Sequence, residues 1–345
     1  MLFIFLFHYS FSGDFIGLFK RGLIALNEKN YTEAVDYFSK ALESPTRPSE
    51  KKVLSVVFNL RGIAHTELRE YDKALKDFAK AIELNPKYED AYNNRGIVYY
   101  NVGEYKKAVE DYTNAIELER RNPLEKKYLE ALYNRGLALL AIGEYDRAVE
   151  DFTEVIRSDF KYREAYSFRG FAYFKIGENE KADEDFKKAL DLNPKSWDAY
   201  FNRGQMYSEN GEYEKAIEDF TSSIRLNPSN AEAYNSRGIA YLEREEFKKA
   251  IMDFTQAIKL NLSFKEAYFN RGNCYQKNEE YQKAIDDFSD VLKLNPRDAE
   301  AFYRRGISYS RIGSNEKAIL DLKKAVDLGH NTARKFLKEY YNIEY

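Results

Sequence analysis

The stretch AYNNRGIVYYNVGEY, residues 91–105, has the spacing of an amphipathic helix but carries an arginine and a glycine side by side in its middle. Glycine inside a helix costs about 1 kcal/mol relative to alanine, so its presence there needs a reason. The same Arg-Gly pair recurs along the chain, with its glycine at Gly22, Gly62, Gly96, Gly136, Gly170, Gly204, Gly238, Gly272 and Gly306. Most of these glycines are 34 residues apart and two gaps are 40, which indicates an internal repeat.

Each repeat carries the same residue types at fixed distances from this glycine, which we number as position zero. Tyrosine often occupies positions −4 and +3, as at Tyr92 and Tyr99 around Gly96. Position +12 is always alanine, and position +16 is aromatic in every repeat except the last, as at Ala108 and Tyr112. Spacings of three, four and seven residues mark the buried face of an α-helix. Every repeat therefore predicts two helices, and no part of the sequence has a strand pattern.

Glycine and proline mark the ends of these helices. A glycine at position +7 predicts a left-handed cap between the two helices. It is found at Gly103, Gly143, Gly177, Gly211 and Gly313. An Asn-Pro step ends four repeats, at Pro86, Pro194, Pro228 and Pro296. Proline cannot continue a helix but suits the first turn of the next one.

This pattern resembles the tetratricopeptide repeat, a helix-turn-helix unit of 34 residues, over residues 15–332. The resemblance implies an all-α fold, an α-solenoid whose antiparallel helix pairs stack into a right-handed superhelix with the first helices on its concave side. Many members of the family have leucine before the glycine, whereas this chain always has arginine. The predicted repeats are 15–48, 55–88, 89–122, 129–162, 163–196, 197–230, 231–264, 265–298 and 299–332, with inserts at 49–54 and 123–128.

The two inserts account for the 40-residue gaps. Pro48 and Pro123 are predicted to lie in the first turn of a lengthened first helix. Both inserts are rich in lysine and arginine, and their sequences leave open a solvated helix start or a contact with an acidic partner.

The chain ends in a predicted capping helix at residues 333–345. Asn331 is predicted to cap this helix, and Phe336 lies 34 residues after Phe302, so the helix copies the first helix of a tenth repeat. Repeat arrays need such an element to cover their last apolar face.

The arginine of each repeat is predicted to face an aspartate. Because the hairpin turn is centred near position +7, the arginine at −1 should lie beside position +15. That position is aspartate in every repeat except the first, which has Tyr37. A guanidinium can meet a carboxylate with two parallel hydrogen bonds. We therefore expect an ion pair that sets the register of each hairpin.

Positions −3, −2, +1, +4 and +5 are predicted to face the groove of the solenoid, where a partner would bind. Asparagine occupies position −2 at Asn94, Asn134, Asn202 and Asn270. An amide has a donor and an acceptor, so it can bond the backbone of an extended peptide without reading its sequence. The row resembles part of the asparagine ladder in the arm of the O-linked sugar transferases. The alternative is that these amides bond only neighbouring helices or water.

Apolar residues form the second predicted part of the groove, at Tyr133, Leu137, Leu140, Phe168, Phe171, Phe174 and Phe201, together with Arg304. An exposed apolar patch of this size indicates a binding surface, and packing between repeats is the alternative. A carboxylate clamp for chaperone tails is not predicted. Asn273 and Arg304 would suit that clamp, but Phe269 and Glu300 stand where cations are needed.

Composition argues against several classes of function. With 54 basic and 57 acidic residues the formal net charge is −3, and no basic stripe suggests nucleic-acid binding. The single cysteine, Cys274, excludes an internal disulfide framework. His8, His65 and His330 have no ligand spacing, so neither a metal nor a cofactor is predicted. No nucleophile or acid–base pair points to an enzyme.

The apolar N-terminal segment, residues 1–14, affects the expected location. A secretory signal needs a positive start and a spanning helix needs about 20 apolar residues, and neither requirement is met here. The sequence thus predicts a cytoplasmic scaffold that binds a peptide segment of a partner protein, in an undetermined oligomeric state. The alternatives are the substrate-recruiting or regulatory arm of an enzyme complex, and an envelope assembly factor anchored or exported through residues 1–13.

Overall fold

The computed structural model describes residues 13–44, 51–119, 128–159 and 163–345, and within them it consists of helices and has no strand. The first helices of the repeats are α1 Gly13–Asn27, α3 Lys51–Glu67, α5 Glu89–Asn101, α7 Tyr128–Ala141, α9 Arg163–Lys175, α11 Trp197–Glu209, α13 Ala231–Glu243, α15 Lys265–Lys277 and α17 Ala299–Arg311. The second helices are α2 Tyr31–Glu43, α4 Tyr71–Leu84, α6 Tyr105–Glu119, α8 Tyr145–Ser158, α10 Asn179–Leu192, α12 Tyr213–Leu226, α14 Phe247–Leu260, α16 Tyr281–Leu294 and α18 Asn315–Asp327, and α19 Asn331–Tyr341 follows them. The predicted all-α array of helix pairs with a final helix is confirmed.

The chain divides into two compact units, residues 1–181 and 182–345, with the division inside α10. In the first unit, Phe15 and Phe19 of α1 pack against Phe38 of α2, and all three rings are fully buried. In the second unit, one core cluster surrounds Phe220, and another at the C-terminal end contains Leu322. Helices that follow one another along the chain contact each other, from α1 to α9 in the first unit and from α11 to α19 in the second.

The glycine at position zero lets an aromatic ring rest on the backbone of the first helix. A Cβ placed on Gly204 would lie 2.8 Å from the ring of Phe220, and one on Gly96 would lie 2.7 Å from that of Tyr112. Both distances are well inside van der Waals contact, so a larger residue would force the ring away. The ring at position +16 is therefore the physical reason for this glycine.

The turn between the two helices contains a left-handed residue at position +7. The predicted glycines there have φ between 75° and 83°. Where the sequence has no glycine the conformation persists, at Lys29, Arg69, Glu245 and Glu279, with φ from 59° to 61°. Backbone hydrogen bonds hold the turn, as from Glu104 N to Tyr99 O at 2.9 Å. The hairpin geometry therefore imposes this conformation even where the side chain opposes it.

The first insert does lengthen its helix, since α3 has 17 residues whereas α5 has 13. Pro48, Pro123 and residues 1–12 lie outside the described residues. No helix in the described part of the chain combines the length and the apolar character needed to span a membrane.

The cap of the final helix corrects one prediction. The backbone N–H of Ala333 donates to Nδ1 of His330 at 3.1 Å, so His330 and not Asn331 is the N-cap. Asn331 is already the first residue of α19, and a capping side chain must come from the residue before it. The helix itself is present as expected, with Leu337 fully buried.

Candidate functional site

In seven of the repeats the arginine binds the aspartate of the following helix, as predicted. Each guanidinium donates two hydrogen bonds of 2.7–2.9 Å to one carboxylate. The pairs are Arg61–Asp77, Arg95–Asp111, Arg135–Asp151, Arg203–Asp219, Arg237–Asp253, Arg271–Asp287 and Arg305–Asp321. The pairing of Arg169 with Asp185 stays a prediction.

The guanidinium group of the arginine makes further contacts besides the ion pair. The guanidinium of Arg95 lies 5.7 Å from the ring centre of Tyr92 and 5.9 Å from that of Tyr99. In several repeats it also donates to a hydroxyl of the preceding repeat, as from Arg237 Nη1 to Thr221 Oγ1 at 2.9 Å. The tyrosines at −4 and +3 are therefore half-buried partners of the arginine, and the Arg-Gly pair has a structural role.

Burial affects the pKa of the aspartate in these ion pairs. The Arg203 side chain is 18% exposed and that of Asp219 only 7%. Burial raises the pKa of the Asp219 carboxyl above its ordinary value, although the hydrogen bonds from Arg203 act in the opposite direction. The charge on Asp219 consequently depends on the arginine beside it.

Asparagine side chains join successive first helices. In each case the amide nitrogen at position −2 donates to the amide oxygen at position −3 of the preceding repeat. The bonds run from Asn94 to Asn59 at 3.0 Å, from Asn134 to Asn93 at 3.5 Å, and from Asn270 to Asn235 at 3.2 Å. These contacts correspond to the alternative interpretation of the asparagine row, in which the amides bond neighbouring helices.

Such an amide bridge leaves hydrogen-bonding capacity unused. Asn235 is only 8% exposed, and among the described residues its amide nitrogen donates to none. The amide oxygen of Asn270 likewise accepts from none of them. One donor and one acceptor therefore remain side by side in this bridge.

The bridge between Asn235 and Asn270 forms one wall of a cavity of about 360 Å³. The cavity lies on three successive first helices of the second unit. Its lining residues are Asn235 and Ile239 of α13, Lys265, Glu266, Phe269 and Asn270 of α15, and Asp298 and Glu300 at the start of α17. A smaller cavity of about 240 Å³ adjoins it, because Ile239 lines both.

Charged groups surround the larger cavity. Nζ of Lys265 lies 3.4 Å from Oδ2 of Asp298 and 3.7 Å from Oε1 of Glu266. Burial acts to raise the pKa of Glu300, but hydrogen bonds with His330 and Arg304, both 2.7 Å long, lower it below its ordinary value. The predicted groove residue Arg304 is thus engaged with Glu300 beside the cavity.

Models of protein families match most of the chain. Models described as tetratricopeptide repeats match residues 17–45, 89–122, 129–162, 197–230, 231–264, 266–298 and 299–328, and one described as a TPR repeat matches 62–103 and 170–211. The chain belongs to the tetratricopeptide repeat family. Tetratricopeptide repeats are protein-interaction scaffolds, so the function is of that general kind.

Solved tetratricopeptide repeat structures share the fold. One is the APC/C hetero-tetramer Cut9–Hcn1, with 18% identity over 93% of this chain and 75% of that one and a TM-score of 0.56. Another is the pilF protein of Pseudomonas aeruginosa, with 18% identity over 61% and 97% and a TM-score of 0.55. A third is from Parabacteroides merdae, with 23% identity over 72% and 97% and a TM-score of 0.50. No curated protein matches the chain.

Two of the seven predicted apolar groove residues are buried, and the other five are half-buried. Phe174 and Phe201 are each 8% exposed, so the expectation that they belong to an exposed patch is wrong. The ring of Tyr133 contacts those of Phe152 and Phe168, at 5.9 Å and 6.0 Å. The ring of Phe201 packs against that of Phe220 on the next helix, with the ring centres 5.9 Å apart, and this packing is the physical reason for its burial.

Leu137, Leu140 and Phe171 are half-buried, and Lys175 lies over the ring of Phe171 at 5.4 Å. Asn202 occupies the same position of α11 as Asn270 does of α15. Binding by these residues stays a prediction.

Asn235 and Ile239 occupy the groove positions −3 and +1 but were not singled out from the sequence, and Lys265 and Asp298 were missed. For Asn235 a signal existed, since an asparagine at −3 is followed 35 residues later by one at −2, as is Asn59 by Asn94. Lys265 and Asp298 gave no such signal, because their approach depends on how two repeats pack.

Proposed function

We propose that the chain is a non-catalytic scaffold that binds an extended segment of a partner protein along the face of its first helices. One observation carries this proposal. The bridge between Asn235 and Asn270 keeps an unused donor and an unused acceptor at the wall of a cavity of about 360 Å³. An extended peptide offers both a carbonyl and an N–H at each residue, so this bridge can bond its backbone.

The length of the lined surface favours a chain over a compact small molecule. The second cavity begins at Ile239 and reaches Gln205 and Glu209 of α11. Together the two cavities extend over four first helices, and an extended segment can follow such a path. We extend the proposal to the predicted groove residues of the first unit and to a cytoplasmic location, which the single buried Cys274 permits.

The proposal is tested with a library of short extended peptides selected for binding to the full chain. For the selected peptides, Asn270→Ala should lower the affinity about five- to ten-fold, the amount expected for one or two lost hydrogen bonds. The matched control is Asn114→Ala, an exposed asparagine on a second helix. Equal loss in both variants, or no selected peptide, would contradict the proposal.

A further inference from the structure

The carboxylates of the larger cavity are not fully neutralised. Glu300 is engaged by Arg304 and His330, and Oδ1 of Asp298 accepts from the backbone of Ala301 at 3.1 Å. Two acidic groups are left without a close cation, Oδ2 of Asp298 and the carboxylate of Glu266. Both lie near Nζ of Lys265, at 3.4 Å and 3.7 Å. Close charged pairs have N···O distances of about 2.7–2.9 Å, so Lys265 is held loosely.

The apolar part of the same cavity suits a long side chain with a polar end. Ile239 and Phe269 line it between the amide bridge and the charged residues. Lysine and arginine place their methylene groups along apolar surface and keep the charged end in a polar environment. An aromatic ring such as that of Phe269 also attracts a cation at its face.

The buried amide of Asn235 is an independent indication of a ligand. The residue is only 8% exposed and lines the cavity, its amide oxygen accepts from Asn270, and its amide nitrogen donates to none of the described residues. A carbonyl of a peptide bound in the cavity could accept a hydrogen bond from this nitrogen.

We propose that this cavity receives an arginine or lysine side chain from the bound partner segment, whose backbone is held at Asn235 and Asn270. This inference rests on the proposed function, because it assumes that an extended segment occupies the groove. An acidic side chain would meet Glu266 and Asp298 with like charge. An apolar side chain would leave those carboxylates no better neutralised than before.

The test compares sets of selected peptides in which one central residue is arginine, lysine, methionine or glutamate, with affinity measured by fluorescence anisotropy. The arginine and lysine members should bind best. Glu266→Gln should weaken them about three- to five-fold, as expected for loss of one partly exposed ion pair, and should leave the methionine member unchanged. About 1 M salt should remove most of the difference.

Two further variants test whether the preference for a cation arises in this cavity. Glu232→Gln changes an exposed glutamate at the same repeat position of α13 that does not line this cavity, and it should have no effect. Lys265→Met removes the loosely held ammonium and should raise the affinity for the arginine peptide. A merely structural role of Lys265 would not predict that gain.

The outcomes separate the two proposals. Peptides that lose affinity in Asn270→Ala but show no preference for a cation would overturn the cation site and leave the peptide groove intact. Preference for the glutamate member would overturn the cation site as well. Failure of every peptide would overturn the groove itself.

Discussion

At the scale of single residues, every repeat except the first has a buried aspartate in its interior. Asp219 is 5% exposed, and its burial is tolerated because Arg203 donates two hydrogen bonds to it. Removing one member of a largely buried pair leaves the other charge without compensation, which typically costs about 3–5 kcal/mol. A change of either member of the pair should therefore cause a large loss of stability.

Arg203→Leu should therefore destabilise the protein in a pH-dependent way. Burial, together with the charges of Glu218 and Asp183, would then keep the folded-state pKa of the Asp219 carboxyl above the unfolded value. A raised folded-state pKa gives stability that is present in acid and is lost as pH rises through that pKa. Urea unfolding should show a larger loss at about pH 7 than at about pH 5.

The double variant Arg203→Leu/Asp219→Asn is the control for this experiment. It removes the titrating group, so the extra loss at neutral pH should disappear. A penalty for Arg203→Leu that does not change with pH would mean that water reaches the carboxylate.

Ser223→Ala should stabilise the protein by about 1 kcal/mol. Ser223 is fully buried, and its hydroxyl has no hydrogen-bond partner among the described residues. An unpaired buried polar group costs about 1–3 kcal/mol, and the same position is alanine at Ala257. The more exposed neighbour Ser222 supplies the control, because Ser222→Ala reports helix propensity alone. Equal gains in chemical denaturation would show that the buried hydroxyl carries no penalty.

At the scale of elements, the turn inside each helix pair has one position whose backbone is left-handed. Glu245 and Glu279 adopt φ of 59° and 60°, where glycine carries no steric penalty and other L-residues do. The same turn contains glycine in α11–α12, at Gly211. The repeats therefore differ in backbone strain at this position of the turn.

Glu245→Gly should stabilise the α13–α14 pair by up to about 1 kcal/mol, because the left-handed conformation then has no side-chain cost. The reverse change, Gly211→Ala, should destabilise by a similar amount. Thermal unfolding of both variants measures the two effects. If both changed the midpoint in the same direction, the left-handed conformation would not be the cause.

The helix pairs and their ion pairs could be predicted from the sequence because both depend on spacing within one repeat. Arg203 and Asp219 are 16 residues apart, and a two-helix hairpin brings such positions together whatever surrounds it. The cavity could not be predicted in the same way. Lys265 and Asp298 meet through the packing of two repeats, and the burial of Phe174 depends on its surroundings in the fold. The cap at His330 was missed because histidine is not among the usual capping residues.

At the scale of the whole molecule, stability should vary along the array. In repeat proteins it is roughly a sum of repeat stabilities and interfaces between neighbours. The first helix pair has Tyr37 in place of the aspartate and the left-handed residue Lys29, whereas α11–α12 has both the ion pair and Gly211. The first pair therefore lacks two stabilising features.

Hydrogen exchange should find α1 and α2 less protected than α11 and α12. The pair α3–α4 combines the Arg61–Asp77 ion pair with left-handed Arg69 and should be intermediate. Lys29→Gly is the informative variant, because it removes the side-chain cost of the left-handed residue, and it should raise protection in α1 and α2. Unchanged exchange in that variant would mean that the left-handed residue is not the cause of the difference.

The bonds that tie the repeats together have a consequence for synthesis of the chain. Each ion pair spans 16 residues, and the amide bridges span 35 or 41. Native contacts so close in sequence favour rapid folding, and domains generally fold from the N-terminus as they emerge from the ribosome. A helix pair can close its ion pair once its second helix has emerged, and the asparagine of the next first helix can then bond to it. The growing chain therefore does not have to leave these side chains unpaired until a residue hundreds of positions later has been synthesised.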